Sequence, residues 1–328
     1  MFIQKIILTN FMVFNKIAID FCDGVNILIG NNGTGKTTLL KCIYAACESS
    51  NISIHPNKAK RFRDYFSSNK ENMKSINQKQ KEDDFRLIQV FSKDVEFHYR
   101  AWDDGTLDLE SWLELGLKSV FIPANEMLSH SKGLLSMEAK YGNIPFDATQ
   151  IDVLVNAQLW ETKDVNKNKK AMLQVIEDEI GGKVVFEDDM FYIKKSNGLK
   201  VEFSLEASGY CKLGLLWKLL RNGLLESGSI LLWDEPESSL NPELAPMLVD
   251  ILLELSRQGV QIFLATHDYN LSKYFSIKKK ADDKISFHSL YKTNGGVICE
   301  QADEYDLLKN NSIVNAEIKM LEDEIEGG

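Results

Sequence analysis

Apolar and polar residues follow a strand pattern near the N-terminus before the pattern changes to that of a helix. Residues 3–8 form an apolar, β-branched run, and residues 17–21 alternate with period two. An Asp-Gly pair predicts a turn into a continuous apolar strand over residues 25–29. Residues 38–47 then place apolar side chains at helical spacing. The N-terminal segment is therefore expected to contain two strands, a buried strand and a helix.

The next segment is polar and then returns to strand alternation. Residues 51–84 are expected to be partly mobile, because a short helix over 57–66 leads into a linker, 67–84, rich in Ser, Asn, Lys, Gln and Glu. Alternation with period two resumes over three short segments, which predict a second, antiparallel sheet. These segments are residues 85–91, 95–101 and 106–109. A further short strand over 119–122 ends at Pro123.

Residues 126–182 have a mostly helical pattern. Apolar residues recur at i, i+3 and i+4 over 150–160 and 170–180, and the Gly-Gly pair that follows predicts a helix end. Within this stretch Asp147, Glu161 and Lys163 fit a D…E-x-K nuclease spacing. Charged helices often produce that spacing, so these residues are interpreted as a solvated surface. Strand patterns return over 184–186, 190–193 and 199–205.

Two apolar strands in the C-terminal half each end at polar residues. A helix over 208–225 precedes the strand 229–235, which ends in two carboxylates. A helix over 242–257 precedes the strand 260–265, which runs into Thr-His-Asp. Continuous apolar strands that alternate with helices predict a doubly wound parallel sheet, in which ligands bind beyond the carboxyl ends of the strands. A hairpin over 285–300 and an amphipathic acidic helix over 313–325 follow.

Composition is typical of a soluble globular protein and limits its partners. The 328 residues are 44% hydrophobic and 26% charged, with a formal net charge of −10. The apolar runs are too short to span a bilayer and the N-terminus does not resemble a signal peptide, which predicts a cytoplasmic protein without a membrane partner. Five scattered cysteines argue against a disulfide framework or a zinc site. The acidic balance confines any nucleic-acid contact to local basic stretches at 58–63, 167–170 and 278–280.

A glycine-rich segment joins the third strand to the first helix. Residues 30–37 fit G-x-x-x-x-G-K-[ST], the loop that cradles the phosphates of a nucleotide. Lys36 is expected to contact the β- and γ-phosphates of ATP, and the Thr37 hydroxyl is placed to ligate Mg²⁺. The helix dipole adds positive potential below the phosphates. The predicted nucleotide-binding residues of this loop are Gly30, Asn31, Asn32, Gly33, Thr34, Gly35, Lys36, Thr37 and Thr38.

Three polar residues at the ends of the two C-terminal strands have candidate roles in catalysis. Asp234 is expected to hold Mg²⁺ across from the phosphate loop. Glu235 follows it and is expected to accept a proton from the attacking water, or to orient that water. His267, at the end of the next strand, is expected to donate a hydrogen bond to the γ-phosphate. Together with Lys36, these residues predict an ATPase.

These motifs resemble the ABC-type ATPase superfamily, in the branch of SMC-like and OLD-like ATPases. Residues 30–37 match its Walker A motif, 230–235 its Walker B motif, 238–242 its D-loop, with Asn241 as a predicted nucleotide contact, and 265–267 its H-loop. The resemblance implies an α/β ATPase head with a mostly parallel P-loop sheet, an antiparallel β-subdomain and a helical insertion. The expected parts are residues 1–125, 126–182 and 183–328.

The chain departs from the superfamily at the signature motif, L-S-G-G-Q in transporters. Residues 206–210 read Glu-Ala-Ser-Gly-Tyr and keep only Ser208 and Gly209. The resemblance implies that this helix N-terminus caps the γ-phosphate of ATP bound by a second subunit. Asn125 or Glu126 lies where the family has its Q-loop and is a candidate metal sensor.

The resemblance implies an ATP-driven switch: a homodimer that closes head-to-tail around two ATP molecules. Because neither a long coiled coil nor a nuclease domain is evident, the output is expected to belong to a separate effector, a nuclease or toxin. The chain is similar to the short ATPases of Septu-type and retron-associated anti-phage systems. A DNA-repair clamp is the alternative, and a transporter ATPase is less favoured because the signature is degraded.

Overall fold

The apolar runs predicted as central strands lie side by side in one sheet of the computed structural model. The structure describes residues 1–51, 64–66, 87–100, 110–142, 144–163 and 165–327. Strands of the main sheet are β3 (Val25–Gly30), β6 (Lys118–Ile122), β10 (Ser229–Asp234), β11 (Gln261–Thr266), β12 (Ile285–Thr293) and β13 (Gly296–Ala302). Their spatial order is β13-β12-β3-β11-β10-β6. Each neighbouring pair is parallel except β12 and β13, which form the predicted hairpin.

The main sheet is covered on both faces, which explains its continuous apolar strands. Every residue of β3, β10 and β11 is buried. Side chains alternate between two cores: Leu28 contributes to one, and its neighbours Ile27 and Ile29 contribute to the other. Since neither face meets water, these strands are mostly apolar, as is usual for a doubly covered parallel sheet, and the buried amides of Asn26 and Gln261 form hydrogen bonds.

A second sheet packs with the first helix in the core that contains Leu28. Its strands are β1 (Lys5–Phe11), β2 (Phe14–Asp20), β4 (Leu87–Ser92) and β5 (Val95–Arg100), in the antiparallel order β2-β1-β4-β5. The predicted antiparallel sheet is thus confirmed for β4 and β5, and β1 and β2 belong to the same sheet. The strand expected over 106–109, the linker 67–84 and most of the helix 57–66 lie outside the described residues.

Helices cover both faces of the main sheet, with α1 on one face and α6 and α7 contributing to the core of the other. Their bounds are α1 (Lys36–Ser49), α2 (Glu110–Leu113), α3 (Leu134–Tyr141), α4 (Ala148–Gln158), α5 (Lys167–Ile180), α6 (Ser208–Arg221), α7 (Ala245–Arg257), α8 (Tyr269–Lys278) and α9 (Ser312–Gly327). Among the described residues, every helix is too short or too polar to traverse a lipid bilayer. The expected α/β fold class is confirmed.

A small third sheet follows the helical segment. Its strands are β7 (Gly182–Glu187), β8 (Met190–Lys195) and β9 (Lys200–Glu202), all antiparallel. β9 is shorter than the strand expected over 199–205, because residues 203–205 form a 3₁₀ turn with Phe203 in the core. α5 ends as predicted, with Gly181 in the left-handed conformation that glycine tolerates. The division into residues 1–125, 126–182 and 183–328 stays a prediction.

Several helices differ from the sequence expectation, and α6 ends at Arg221 instead of at residue 225. The helix expected over 242–257 starts with a 3₁₀ turn, Pro242–Leu244, and α7 begins at Ala245. The pattern analysis also missed α8. Asp268 caps this helix by accepting a hydrogen bond from the Leu271 backbone N–H at 2.6 Å. Leu271 and Phe275, four residues apart, bury one face of α8, so the Asp cap was the local signal for it.

His288 belongs to β12 and is fully buried. Its Nε2 is 3.4 Å from Asn26 Oδ1, and its ring meets the Phe21 ring edge-on with centroids 5.4 Å apart. Nδ1 has no hydrogen-bond partner within the described ranges. Burial lowers the pKa of His288 to about 3, because the surroundings disfavour the charged imidazolium.

His288 is therefore expected to make the protein acid-sensitive. Between its folded pKa of about 3 and the unfolded value of about 6.5, the unfolded chain binds a proton that the folded chain excludes, so stability falls as pH falls. From about pH 7 to about pH 4, the free energy of unfolding should fall by roughly 3 kcal/mol more for the wild type than for His288→Gln. Urea denaturation at several pH values measures the difference.

The exposed His130 provides the matched control for this experiment. His130→Gln should follow the wild-type pH profile, because it removes an exposed histidine and leaves the buried His288 in place. A His288→Gln profile that parallels the wild type would show that another group causes the acid sensitivity.

Candidate nucleotide-binding site

The strand register brings the predicted site residues to one edge of the main sheet. Asp234 pairs with Ala265 across β10 and β11, and Thr266 pairs with Ile29 across β11 and β3. Because these strands are parallel, the phosphate loop, Asp234 and His267 all follow carboxyl ends at the same edge. This is where ligands bind in doubly wound sheets.

Glycines at both ends of the phosphate loop allow close backbone packing. A Cβ atom on Gly30 would lie 2.3 Å from the Leu290 carbonyl oxygen, and one on Gly35 would lie 2.3 Å from Phe14 Cζ. Gly35 also has a φ of +91°, which favours glycine. Between them, the Thr34 hydroxyl donates to the Asn31 carbonyl at 2.8 Å. Asn31, Asn32 and Gly33 are exposed at the tip of the loop.

Lys36 folds back over the loop that precedes it. Its Nζ donates to the carbonyl oxygens of Gly30 and Asn31 at 2.6 and 3.3 Å. The residue is only 7% exposed. Burial lowers the pKa of the Lys36 ammonium, and the nearby carboxylates of Asp234 and Glu235 oppose that shift. The loop therefore holds a cation at its centre.

Thr37 and Asp234 join the loop to β10, although 197 residues separate them in the chain. The Thr37 hydroxyl donates to Asp234 Oδ2 at 2.9 Å. Asp234 is 7% exposed, and burial raises the pKa of its carboxyl to about 6. A hydroxyl and a carboxylate oxygen side by side are hard ligands of the kind that Mg²⁺ prefers.

The donor set fits a magnesium ion that is only partly coordinated by protein. Within the described residues there is no group of three or more His, Cys, Asp or Glu side chains that could hold a metal. Mg²⁺ commonly takes one or two protein ligands and completes its shell with substrate phosphates and water. Thr37 and Asp234 match that pattern next to a phosphate loop.

Glu235 lies in a constrained turn beyond β10. Its φ is +48°, unusual for a residue with a side chain. Its backbone N–H donates to the Ala265 carbonyl at 2.8 Å, and its own carbonyl accepts from Lys212 Nζ at 2.9 Å. The Glu235 side chain is partly exposed, with Oε1 3.5 Å from His267 Nδ1. The backbone contacts therefore hold the carboxylate at the mouth of the site.

Glu237 and Lys212 also belong to the site, and the motif analysis missed both. Glu237 Oε1 accepts from the His267 backbone N–H at 3.1 Å and lies 3.5 Å from His267 Nδ1. Burial raises the pKa of Glu237. Lys212 is 3% exposed, and burial lowers its pKa to about 8. A signal for Lys212 existed: it shares the buried face of α6 with Leu216 and Leu219.

Ser208 and Gly209 start α6 and pack against the D-loop segment of the same chain. A Cβ on Gly209 would lie 2.7 Å from the Ser239 carbonyl oxygen. Ser208, Lys212 and Ser239 line a cavity of about 360 Å³. The start of α6 is thus connected to Glu235 through Lys212, one helical turn further along. Its predicted contact with a second subunit stays a prediction.

The remaining predicted residues make local contacts. Asn241 is exposed, and its Oδ1 accepts from the Glu243 backbone N–H at 3.1 Å. Asn125 is exposed and lines the cavity beside Ser208. The Glu126 carboxylate accepts from the backbone N–H groups of Leu128 and Ser129, so it caps a 3₁₀ turn. Their roles at a nucleotide stay predictions.

The D…E-x-K spacing corresponds to structural contacts. Asp147 caps α4 and pairs with Lys41 at 2.6 Å. Glu161 pairs with Lys218 and with Arg221, at 3.0 and 3.1 Å. These separate ion pairs connect α4 to α1 and a loop to α6, which supports the interpretation that the spacing is not a nuclease site.

The chain is similar to known proteins both in segments of its sequence and in its fold. A family model described as "AAA domain, putative AbiEii toxin, Type IV TA system" matches residues 130–273, and a model described as "ABC transporter" matches residues 20–175. The SMC head domain from Thermotoga maritima is 18% identical, covers 92% of this chain and 99% of its own, and has a TM-score of 0.53. The fold is that of an SMC head domain.

A second solved SMC head extends this similarity, and the curated relatives match shorter segments. An SMC head bound to the C-winged helix domain of ScpA is 13% identical, covering 92% of this chain and 98% of its own with a TM-score of 0.58. RecF of Cytophaga hutchinsonii is 45% identical over 47 residues, 14% of this chain and 12% of that protein. LivG of Archaeoglobus fulgidus, a probable branched-chain amino acid transport ATP-binding protein, is 27% identical over 142 residues, 39% and 51% of the two chains. The chain thus spans about half or less of the length of these curated relatives.

Lys212→Met is expected to stabilise the folded protein. The Lys212 ammonium is buried and donates to a backbone carbonyl rather than to a carboxylate, so a neutral side chain of similar length avoids the cost of burying charge. The free energy of unfolding at neutral pH should rise by about 1–2 kcal/mol in urea denaturation. Lys169→Met is the control, because Lys169 is equally buried but pairs with Glu226 at 3.1 Å. It should gain no stability, and an equal gain would contradict the interpretation of Lys212.

Proposed function

We propose that the chain binds ATP with Mg²⁺ at this sheet edge and hydrolyses it. The contact between the Thr37 hydroxyl and Asp234 supports this most directly, because it joins the phosphate loop to the acidic strand end at 2.9 Å. Bound Mg²⁺ would neutralise charge between the β- and γ-phosphates, and Thr37 and Asp234 would hold it. Lys36 would exchange its loop carbonyls for phosphate oxygens.

In this proposal three further residues prepare the attacking water and the γ-phosphate. Glu235 orients the water and accepts its proton. His267 donates a hydrogen bond to a γ-phosphate oxygen, and Glu237 positions His267 through its backbone N–H. Lys212 positions Glu235 by holding the carbonyl of its left-handed turn. Each group is thus placed before the nucleotide arrives, which lowers the reorganisation needed during the reaction.

The site would be completed by a second copy of the chain. Ser208 and Gly209 of that copy would bring the N-terminus of α6 to the γ-phosphate, where backbone N–H groups and the helix dipole favour an anion. Asn241 would lie between the two heads. ATP would then act as a switch, because the closed dimer makes contacts with the nucleotide that the open monomers lack.

Glu235→Gln is expected to form a stable dimer with ATP and Mg²⁺. Loss of the general base slows hydrolysis while nucleotide contacts remain, so the closed state accumulates. Light scattering with size-exclusion chromatography should show doubled mass, absent with ADP. Lys36→Ala should bind no ATP and stay monomeric. Ser208→Arg should bind ATP but not dimerise, since it blocks only the partner-facing contact.

The contrary result would be a monomeric Glu235→Gln protein with wild-type turnover, which would refute the composite site. Full ATP affinity in Lys36→Ala would instead contradict the phosphate-loop assignment.

For the biological role, we propose that the switch controls a separate effector, a nuclease or toxin, in anti-phage defence. The family model over residues 130–273 supports this, since its description includes a toxin and a TA system. The net charge of −10 also favours a protein partner over DNA. A cytoplasmic location follows from the same proposal.

A DNA clamp is the second candidate. The SMC-head fold and the RecF match over 47 residues favour it. The basic stretch 58–63 that would contact DNA lies outside the described residues. A transporter role is less favoured, although the ABC transporter model matches residues 20–175.

The two roles predict different partners for the ATP-trapped Glu235→Gln protein. As an effector switch, it should co-purify from its native host with a nuclease or toxin, and Lys36→Ala should release that protein. Fluorescence anisotropy with duplex DNA should then show no ATP-dependent binding. A clamp would instead bind DNA only with ATP and lose affinity by roughly a hundredfold or more between about 50 and 200 mM salt. That result would overturn the effector proposal.

A further inference from the structure

The last helix, α9, has an apolar face that none of the described residues covers. α9 begins against the core, where Ile313 is buried and Val314 packs beside it. Beyond this anchor, Ile318, Leu321 and Ile325 are 48%, 53% and 80% exposed. Large apolar side chains exposed in a row are unusual on a soluble surface.

The spacing of these residues is that of a coiled-coil seam. Val314, Ile318, Leu321 and Ile325 follow intervals of four, three and four residues, which corresponds to heptad positions d, a, d and a. Side chains that are three or four residues apart lie on the same face of a helix. A β-branched residue at a with Leu at d is the combination that favours two-stranded pairing. The exposed part of α9 therefore presents a seam for one further helix.

The residues that flank the seam are acidic. Glu317 and Glu324 occupy g positions, and Glu322 occupies the e position between them. In a parallel pair of α9 helices, Glu317 of one copy would face Glu322 of the other. In an antiparallel pair, e faces e and g faces g, so glutamates again meet glutamates. Pairing of α9 with itself is thus opposed in both orientations, because like charges at e and g repel.

We propose that α9 is a docking helix for an amphipathic helix of a different protein, with an apolar a/d seam flanked by Lys or Arg. Complementary charge at e and g selects partner and orientation in coiled coils. The same acidic flanks disfavour an anionic lipid surface, which attracts helices with a basic polar face. This inference goes beyond the proposed ATPase function, and its test needs no nucleotide.

Two synthetic peptides of three heptads test the surface on the full chain. Both carry Ile at a and Leu at d; one has Lys at every e and g position and the other has Glu. In fluorescence anisotropy without nucleotide, the Lys peptide should bind at least about tenfold more tightly than the Glu peptide at low salt. High salt should reduce the difference, because the flanking charges are exposed.

Two matched variants locate the contact on α9. Leu321→Ser removes the apolar side chain at a d position and should lower the affinity for the Lys peptide by about tenfold or more. Met320→Ser is the control, since Met320 is equally exposed, at 57%, but occupies a c position off the seam. Combined Glu317→Lys, Glu322→Lys and Glu324→Lys should reverse the preference toward the Glu peptide. All variants lie beyond the core anchor, so thermal melting should be unchanged.

Several outcomes would overturn the proposal. Equal binding of the two peptides, or an equal loss in Leu321→Ser and Met320→Ser, would show that no charged heptad seam exists. A nucleotide-free dimer that Leu321→Ser dissociates in sedimentation would assign the face to a second copy. Co-flotation with phosphatidylglycerol vesicles that Leu321→Ser abolishes would assign it to lipid. A monomeric Glu235→Gln protein would leave these results unaffected, so failure of the ATPase proposal is distinguishable.

Discussion

The hydrogen bond between Thr37 and Asp234 depends on the parallel register of three strands. β3, β11 and β10 run side by side, so the loop after β3 and the carboxylate at the end of β10 reach the same edge of the sheet. An antiparallel β10 would carry Asp234 to the opposite edge, about five residues or 16 Å away. The site is therefore a consequence of strand direction, and the two cores on either side of the sheet maintain that direction.

Several groups at this edge of the sheet lower the stability of the folded state. The carboxyls of Asp234, which is buried, and Glu237, which is half-buried, have raised pKa values. Lys212 is a buried ammonium, and Glu235 has a left-handed backbone. Buried charge and positive φ each cost stability unless the surroundings enforce them. Here the surroundings are β10 and α6, both buried among apolar side chains. The rigid core is what allows a strained acidic turn to exist beside a phosphate loop.

Sequence reasoning predicted the parts of the molecule whose signals are local. The loop has a fixed spacing, and Asp234 and His267 follow apolar runs whose ends are visible in the pattern. Lys212 was missed because its contact with Glu235 depends on how α6 packs against β10, 23 residues away in the chain. Glu237 was missed because its role appears only when β11 brings the His267 backbone within 3.1 Å. Small differences, such as the 3₁₀ turn after β9, arise because tertiary packing overrides weak strand propensity.

The two proposed interfaces, at the edge of the main sheet and on α9, differ in whether they accept a second copy of the chain. At the sheet edge, a proposed composite site requires a second identical chain, since the helix N-terminus that would complete it lies on α6 and packs against Ser239. At α9, glutamates on both sides of the seam repel an identical helix but attract a basic one. Because α9 does not pair with itself in this proposal, its apolar seam stays free for a different protein while the two heads associate. Under these two proposals, one chain closes on its copy and binds a different protein at the same time, because charge separates the two kinds of recognition.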